Sequence, residues 1–170
     1  RGLVDYYSIG NGSYLNRFAE IVPSFHFGMK LTETEAEQFK NTVSHALITA
    51  EARVKTPENA EEVLSAGHAD MVSIVRGQIA DPHLANKAKE GRAEDIRPCI
   101  SCNQLCLGRR LRDYWGSCLV NPSVGREHEW DGDTTPPTIA PKEILVVGAG
   151  PAGMEVARMA AARGHKVRLG

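Results

Sequence analysis

The sequence predicts an α/β protein whose strands run parallel. Three short apolar runs alternate with helical segments in the first hundred residues, and a fourth apolar run precedes a glycine-rich loop and an alanine-rich helix near the C-terminus. This alternation is typical of sheets in which crossover helices join parallel strands. The order of the elements alone fits either an open sheet or part of a barrel.

Local signals place each element along the chain. The apolar runs predict strands over residues 3–8, 46–50, 69–75, 143–147 and 164–169. The third of these runs is almost continuously apolar, which indicates burial on both faces. Helical segments are predicted over residues 32–43, 56–65 and 154–163. Thr32 or Thr34 is the expected N-cap of the first helix and Thr56 that of the second, and Asp81 is expected to cap a helix that begins near His83.

The composition argues against several classes of protein. The chain has 170 residues, 20 lysines and arginines against 21 aspartates and glutamates, and a formal net charge of −1. This balance provides no attraction for nucleic acid or for an acidic membrane surface. No run reaches the ~18 apolar residues of a membrane-spanning helix, and the N-terminal residues lack the pattern of a signal peptide. We therefore expect a cytoplasmic protein with no nucleic-acid or membrane partner.

Four cysteines form the most distinctive motif of the chain. Cys99, Cys102, Cys106 and Cys118 follow the spacing C-x2-C-x3-C-x11-C, and the chain has no other cysteine. Their confinement to one short region argues against a disulfide framework. Thiolates at such spacing bind a tetrahedral zinc ion or an iron–sulfur cluster. Three ligands on one loop with a lone fourth beyond it favour a [4Fe–4S] cluster over the paired knuckles of zinc ribbons, but the spacing alone leaves zinc open.

A glycine-rich loop lies between the fourth predicted strand and the alanine-rich helix. Its residues are Gly148, Ala149, Gly150, Pro151, Ala152 and Gly153. A loop between a strand and a helix is the context of a dinucleotide-binding fingerprint. Gly148 would form the tight turn, Gly150 would let the backbone approach a pyrophosphate, and Gly153 would let the helix pack on the strand. The alternative is a glycine-rich turn that binds no nucleotide.

Arginines follow two of the predicted strands. Arg53 comes after the second strand, and Arg76 with Gly77 comes after the third. Carboxyl ends of parallel strands meet at one edge of a sheet, where barrels of eight strands bind cofactor phosphates. Both guanidinium groups are therefore candidate phosphate ligands. The alternative is that they are surface cations or form ion pairs with Asp70 or Asp81.

Several segments together carry a resemblance to a known family. They are residues 69–82, 91–92, 95–106, 121–122 and 148–153. With these segments the chain resembles the old-yellow-enzyme-related flavoproteins, which include 2,4-dienoyl-CoA reductase and trimethylamine dehydrogenase. The resemblance implies an oxidoreductase of the NADH:flavin type. It also implies that the chain is a fragment of a parent several times longer and is inactive on its own.

The resemblance implies four parts within the chain. Residues 1–97 would form the end of an FMN-binding (β/α)8 TIM barrel, covering about its sixth to eighth strands. Residues 98–126 would form the [4Fe–4S] cluster loop and residues 127–141 a linker. Residues 142–170 would begin a Rossmann-like domain that binds FAD or NAD(P).

The same resemblance assigns the site residues. The four cysteines would ligate the cluster, and the FMN phosphate would be held by Arg53, Val75, Arg76 and Gly77. The loop 148–153 would hold the pyrophosphate of FAD or ADP, and no catalytic residue is expected within the chain. Residues 14–23 depart from the reductase branch, since they contain no histidine where that branch has one that assists proton delivery.

The activity implied by the resemblance is an electron relay. Hydride would enter from NAD(P)H to FAD, electrons would cross the cluster, and FMN would reduce an activated alkene as the small-molecule substrate. Run in reverse, the relay would oxidise an N-methyl amine or betaine and pass electrons to an electron-transfer flavoprotein. A third alternative is a non-enzymatic zinc-knuckle module that binds a nucleotide. The sequence does not indicate the oligomeric state.

Overall fold

The chain is divided into two units in the computed structural model, which describes residues 2–130 and 136–170. The first unit ends at Val124 and the second begins at Gly125. Both have α/β content with parallel strands, as the sequence predicts. The predicted linker, residues 127–141, falls in the second unit, and its residues 131–135 lie outside the described ranges.

The first unit contains three strands and a series of short helices. The strands are β1 (Tyr6–Ile9), β2 (Leu47–Ala50) and β3 (Met71–Val72). The helices are α1 (Phe18–Ile21), α2 (Glu33–Thr42), α3 (Pro57–Ser65), α4 (Val75–Ala80), α5 (Leu84–Lys89) and α6 (Leu107–Arg110), with a 3-10 turn at Ala93–Asp95. Across the described part of the chain, every helix falls short of the length and hydrophobicity that a membrane span needs.

The strands of the first unit form one parallel sheet in the order β1-β2-β3. β1 pairs with β2 in the register Tyr6↔Leu47, and β2 pairs with β3 in the register Thr49↔Met71. Helices α2 and α3 are the crossovers between these strands. Small and branched side chains form the core: Ile9, Ala36, Ile48, Ala50, Val63 and Ala69. Because the strands run the same way, their carboxyl ends share one edge of the sheet.

The third strand is shorter than the predicted 69–75. Its ladder ends with the hydrogen bond from the Ser73 amide to the last carbonyl of β2, at 2.9 Å. Just after the end of β2, Ala52 and Arg53 have left-handed backbone with φ of 58° and 64°. This conformation turns the chain away from the sheet. β2 therefore offers no further pairing, and the chain enters α4 at Val75.

Of the N-caps predicted for α2 and α3, the structure confirms Thr56, and Thr32 makes a different set of hydrogen bonds. Thr56 caps α3 as predicted, because its hydroxyl accepts a hydrogen bond from the Asn59 amide at 3.2 Å. Thr32 precedes α2 but makes no capping bond. Its hydroxyl donates to the Glu51 carbonyl at 2.8 Å and accepts from the Glu51 amide at 2.9 Å. Thr32 thus fastens α2 to the end of β2.

The carboxylate of Asp81, the predicted cap of α5, forms hydrogen bonds both with α5 and with the segment that precedes the cysteines. One carboxylate oxygen accepts from the His83 amide at 3.0 Å, while α5 begins one residue later, at Leu84. The other oxygen accepts from the Lys87 ammonium at 2.7 Å and from the Arg97 amide at 2.9 Å. The Asp81 side chain has no exposed surface. It therefore clamps α5 to the segment that leads into the cysteines.

The second unit is a two-stranded parallel sheet with one helix. Its elements are β4 (Glu143–Val146), α7 (Pro151–Ala162) and β5 (Lys166–Leu169). The strands pair in the register Glu143↔Lys166. α7 begins at Pro151, earlier than the predicted residue 154, since proline suits the first helical position and Gly150 precedes it in an extended conformation.

Candidate functional site

A cavity of about 210 Å³ lies at the carboxyl-end edge of the first unit's sheet. We call it the arginine cavity. Its lining comes from residues 21–23, from the segments after β2 and β3 and from the cysteine region. It includes Arg53, Ser73, Arg76, Cys99 and Ser101. All four residues predicted to hold FMN line it, namely Arg53, Val75, Arg76 and Gly77. The parallel sheet thus brings together residues that are distant in sequence.

Arg53 is a buried cation. The residue is 9% exposed, and its Nη1 donates to the Ser24 carbonyl at 2.6 Å and to the Phe27 carbonyl. Its Nε is buried and makes no hydrogen bond within the described residues. Burial lowers the pKa of Arg53 from its usual value, and the positive charge of Arg76 lowers it further. A buried cation with an unused donor is a favourable ligand for an anion such as phosphate.

Arg76 stands in the first turn of α4 and lines the same cavity. The two aspartates that were its alternative partners bind lysine ammonium groups instead, Asp70 at 2.9 Å and Asp81 at 2.7 Å. Within residues 2–130 and 136–170, neither arginine forms an ion pair with them. The alternative of an ion pair to Asp70 or Asp81 is therefore wrong for Arg53 and Arg76.

Gly77 and Val75 contribute shape to the cavity. A Cβ at Gly77 would lie 2.5 Å from Cγ2 of Ile74 and 3.2 Å from the Lys55 carbonyl oxygen. A larger residue would therefore displace α4, because such contacts leave no room for a side chain. Val75, a residue that is 66% exposed, also lines the cavity.

All four cysteines line a second, smaller pocket of the first unit. We call it the cysteine pocket. The thiols are free and half-buried, and the other walls are mostly apolar: Ile79, Ile100, Leu105, Leu119 and Val120. The Ser101 amide donates a hydrogen bond to Sγ of Cys99 at 3.4 Å. Burial raises the pKa of the Cys106 thiol. Apolar walls and N–H···S bonds are the features by which proteins tune iron–sulfur centres.

Four thiols that line one pocket could hold either a zinc ion or an iron–sulfur cluster. Zinc at ~2.3 Å from each sulfur would hold four thiolates about 3.8 Å apart. In the part of the chain that the structure describes, no three His, Cys, Asp or Glu side chains form a group that could hold one metal ion. A [4Fe–4S] cluster gives each thiolate its own iron and suits a wider set of sulfurs. The donor set of the cysteine pocket, four thiols, suits a [4Fe–4S] cluster, and a zinc ion stays the alternative.

Residues that the sequence analysis did not single out fasten the cysteine region to the sheet. Asn103 accepts a hydrogen bond from Nη1 of Arg76 at 2.6 Å and donates to the Val22 carbonyl at 2.6 Å. Lys55 donates to the Cys99 carbonyl at 3.2 Å. Asn103 has left-handed backbone, with φ of 57°. Asparagine tolerates this conformation better than most residues, which is the one sequence signal at this position.

In the second unit, the backbone requires glycine at two of the three glycine positions of the loop, and it leaves room for a side chain at the third. Gly148 has φ of 102°, a region that favours glycine. A Cβ at Gly153 would overlap the Gly148 carbonyl oxygen. A Cβ at Gly150 would meet nothing within 4 Å, and Ala149 and Ala152 are exposed on either side. Open space at Gly150 is what close approach of a pyrophosphate to the backbone requires.

Comparison with known proteins identifies the family. Residues 6–95, more than half of the chain, match the NADH:flavin oxidoreductase / NADH oxidase family. The chain belongs to this family. The resemblance to old-yellow-enzyme-related flavoproteins and the oxidoreductase class, both predicted from the sequence, are thereby confirmed.

Relatives of this flavin oxidoreductase chain carry the names of both reductases and dehydrogenases. The metal reductase of Desulforamulus reducens is 49% identical over 130 residues, which are 76% of this chain and 19% of that protein. The N,N-dimethylglycine/sarcosine dehydrogenase of Chromohalobacter salexigens is 34% identical over 171 residues, which are 99% of this chain and 24% of that protein. The chain thus spans about a fifth to a quarter of the length of these relatives.

A solved structure shows the same likeness in three dimensions. The complex of 2-naphthoyl-CoA reductase with 2-naphthoyl-CoA matches with a TM-score of 0.84 and 37% sequence identity. The match covers 96% of this chain and 24% of that one. Membership of the flavin oxidoreductase family therefore agrees with the fold as well as the sequence.

Proposed function

We propose that the first unit of this flavin oxidoreductase binds two redox cofactors, the phosphate of FMN in the arginine cavity and a [4Fe–4S] cluster in the cysteine pocket. The observation that carries the proposal is the buried guanidinium of Arg53, which has an unused Nε and no ion pair to a carboxylate among the described residues. Leaving a buried cation without a counter-ion costs several kcal/mol. A phosphate dianion would remove that cost.

The chain's own residues would divide the work of binding FMN. Arg53 would present its guanidinium to the phosphate at the cavity wall while backbone carbonyls of Ser24 and Phe27 hold its Nη1. Arg76, in α4, would bring a second positive charge to the same cavity. Two fixed guanidinium groups bind and orient a phosphate better than flexible cations, because less side-chain freedom is lost on binding.

The cysteine pocket would keep its centre away from water. Its walls are mostly aliphatic side chains, and the Ser101 amide donates to Cys99. When bound, FMN supplies hydride transfer to a small-molecule substrate and the cluster supplies one-electron transfer. The four thiolates would hold the cluster beside the cavity that holds the phosphate, since both are built partly from the same residues.

The rest of the chain has a role in the same proposal. Residues 1–97 would be the last part of a TIM barrel and residues 98–126 the cluster loop. Residues 142–170 would begin a Rossmann-like domain whose loop 148–153 holds the pyrophosphate of FAD or ADP. The open space at Gly150 and the start of α7 beside it support this role. NAD(P)H would then be the donor that reduces the protein.

We propose the reductive direction, with an activated alkene as substrate. Over similar lengths, identity is 49% to a metal reductase and 42% to a cinnamate reductase, against 39% to a dimethylamine dehydrogenase, which supports reduction. The second candidate is oxidation of an N-methyl amine or betaine. It is favoured by residues 14–23, which contain no histidine where the reductase branch has its proton-delivering one.

The test is the composition and the spectrum of the full-length protein, purified without oxygen. We expect about four iron and four sulfide per chain with a shoulder near ~400 nm beneath flavin bands. Bleaching of those bands by NADH or NADPH would support the reductive direction, and bleaching only by a methylated amine would support the dehydrogenase. A colourless protein with one bound zinc would refute the proposal.

A further inference from the structure

The arginine cavity and the cysteine pocket share a wall. Arg76, Cys99 and Ser101 line both of them. Cys99 would be a ligand of the cluster and Arg76 a ligand of the phosphate, so only the thickness of single residues separates the two sites. Charges interact more strongly across such a wall than through water, because the wall has a lower dielectric constant.

Asn103 holds Arg76 at this wall. Nη1 of Arg76 donates to Oδ1 of Asn103 at 2.6 Å, and Nδ2 of Asn103 donates to the Val22 carbonyl at 2.6 Å. The partner of the guanidinium is thus a neutral amide that lies on the loop between Cys102 and Cys106. A neutral partner fixes the position of the cation without cancelling its charge.

We propose that Arg76 couples the two sites, so that a phosphate bound in the arginine cavity lowers the reduction potential of the cluster in the cysteine pocket. This inference rests on the proposed function, because it needs both the phosphate and the cluster. Reduction adds one electron to the cysteine-bound centre, and the charge of Arg76 stabilises the added negative charge. A phosphate on the same guanidinium neutralises that charge and removes the stabilisation.

The coupling is reciprocal. If phosphate lowers the reduction potential, reduction of the cluster must weaken phosphate binding by the same factor. Couplings between two sites on one protein commonly reach about tenfold. For transfer of one electron, a tenfold effect corresponds to about 59 mV. Asn103 is a positioning residue in this scheme, because it keeps the guanidinium within reach of both sites.

The experiment uses the full-length protein with its cluster intact and its FMN removed. The midpoint potential is measured by dithionite titration followed by electron paramagnetic resonance, at constant ionic strength. It is measured without phosphate, with inorganic phosphate and with FMN. We expect inorganic phosphate to lower the midpoint by about 59 mV, and FMN to lower it at least as far.

Two outcomes overturn the coupling. One is an unchanged midpoint when FMN is bound. The other is a shift with FMN alone while inorganic phosphate competes with FMN for the site, because the effect would then belong to the flavin ring. A wild-type protein with no iron and no paramagnetic signal would instead refute the proposed function.

Variants test whether the coupling depends on the guanidinium of Arg76. Arg76→Gln is expected to lower the midpoint without ligand and to abolish the response to phosphate, whereas Arg76→Lys, which keeps the charge, should retain the response. Asn103→Gly suits the left-handed backbone and removes only the amide that holds the guanidinium, so the response should shrink. The control is Arg112→Gln, an exposed arginine of the same region, which should respond like wild type. An unaltered response in iron-loaded Arg76→Gln would overturn the inference.

Discussion

The two units of the chain would bind their cofactors by opposite means. In the first, the ligands would be side chains from three separated segments: Arg53 after β2, Arg76 in α4 and the cysteines beyond. In the second, six consecutive residues offer their backbone at the start of α7. A side-chain site depends on charge and on thiols, and a backbone site depends on the absence of a Cβ. Substitutions should therefore fail in different ways in the two units.

The largest effect is expected in the cysteine pocket. Cys118→Ser in the full-length protein should abolish stable iron binding, because a serine oxygen is a poor substitute for the soft thiolate ligand. Ser117→Ala is the matched control. Its backbone amide, which the substitution keeps, donates to the Leu105 carbonyl at 3.2 Å. Iron and sulfide are measured per chain, and full iron content in Cys118→Ser would show that this thiol is not a ligand.

The next effect concerns charge in the arginine cavity. Arg53→Gln removes a charged donor, whose hydrogen bonds are worth roughly 1.5–3 kcal/mol. The dissociation constant for FMN should rise about 10- to 100-fold. It is measured by quenching of FMN fluorescence on titration into flavin-free protein. Arg112 is exposed, so Arg112→Gln should bind FMN like wild type. Equal affinity in both variants would show that the phosphate does not bind in the arginine cavity.

In the glycine loop, the effect of a substitution should depend on the space for a Cβ and not on charge. Gly153→Ala places a Cβ on the Gly148 carbonyl oxygen and should destabilise the second unit by about 1–3 kcal/mol. Gly150→Ala meets nothing within 4 Å, so the unit should fold normally and lose only dinucleotide affinity. Chemical unfolding and nucleotide titration separate the two effects. Normal nucleotide binding by Gly150→Ala would mean that no pyrophosphate lies against that position.

Local features of the chain are predicted from the sequence more completely than its long-range contacts, for a physical reason. The glycine loop is contiguous, the four cysteines lie within twenty residues, and Thr56 caps α3 through a bond to Asn59 only three residues away. The length of β3 instead depends on where β2 turns away at Ala52, and the contact of Asn103 with Arg76 joins residues 27 positions apart. Long-range contacts of this kind leave no periodic or local signal in the chain.

The smallest effect tests how the first unit positions its cysteines. Asp81→Asn keeps the shape of a fully buried side chain but removes the charge that accepts from Lys87 and from the Arg97 amide. We expect a loss of about 1–2 kcal/mol at neutral pH. Asp95→Asn is the control, since its ion pair with Arg92 is exposed and contributes at most about 1 kcal/mol.

The contribution of Asp81 to the free energy of unfolding should depend on pH. Burial acts to raise the pKa of Asp81, but hydrogen bonds from Lys87 and from two backbone amides outweigh it and lower the pKa overall. Its folded pKa is then below the ordinary value of ~3.9. The stability that Asp81 contributes is therefore present above that pH and is lost as the pH falls through the folded pKa. Urea unfolding of wild type and Asp81→Asn should differ at pH 7 and converge as the pH falls through the folded pKa of Asp81. A difference that persists in strong acid would mean that the contribution of Asp81 does not depend on its charge.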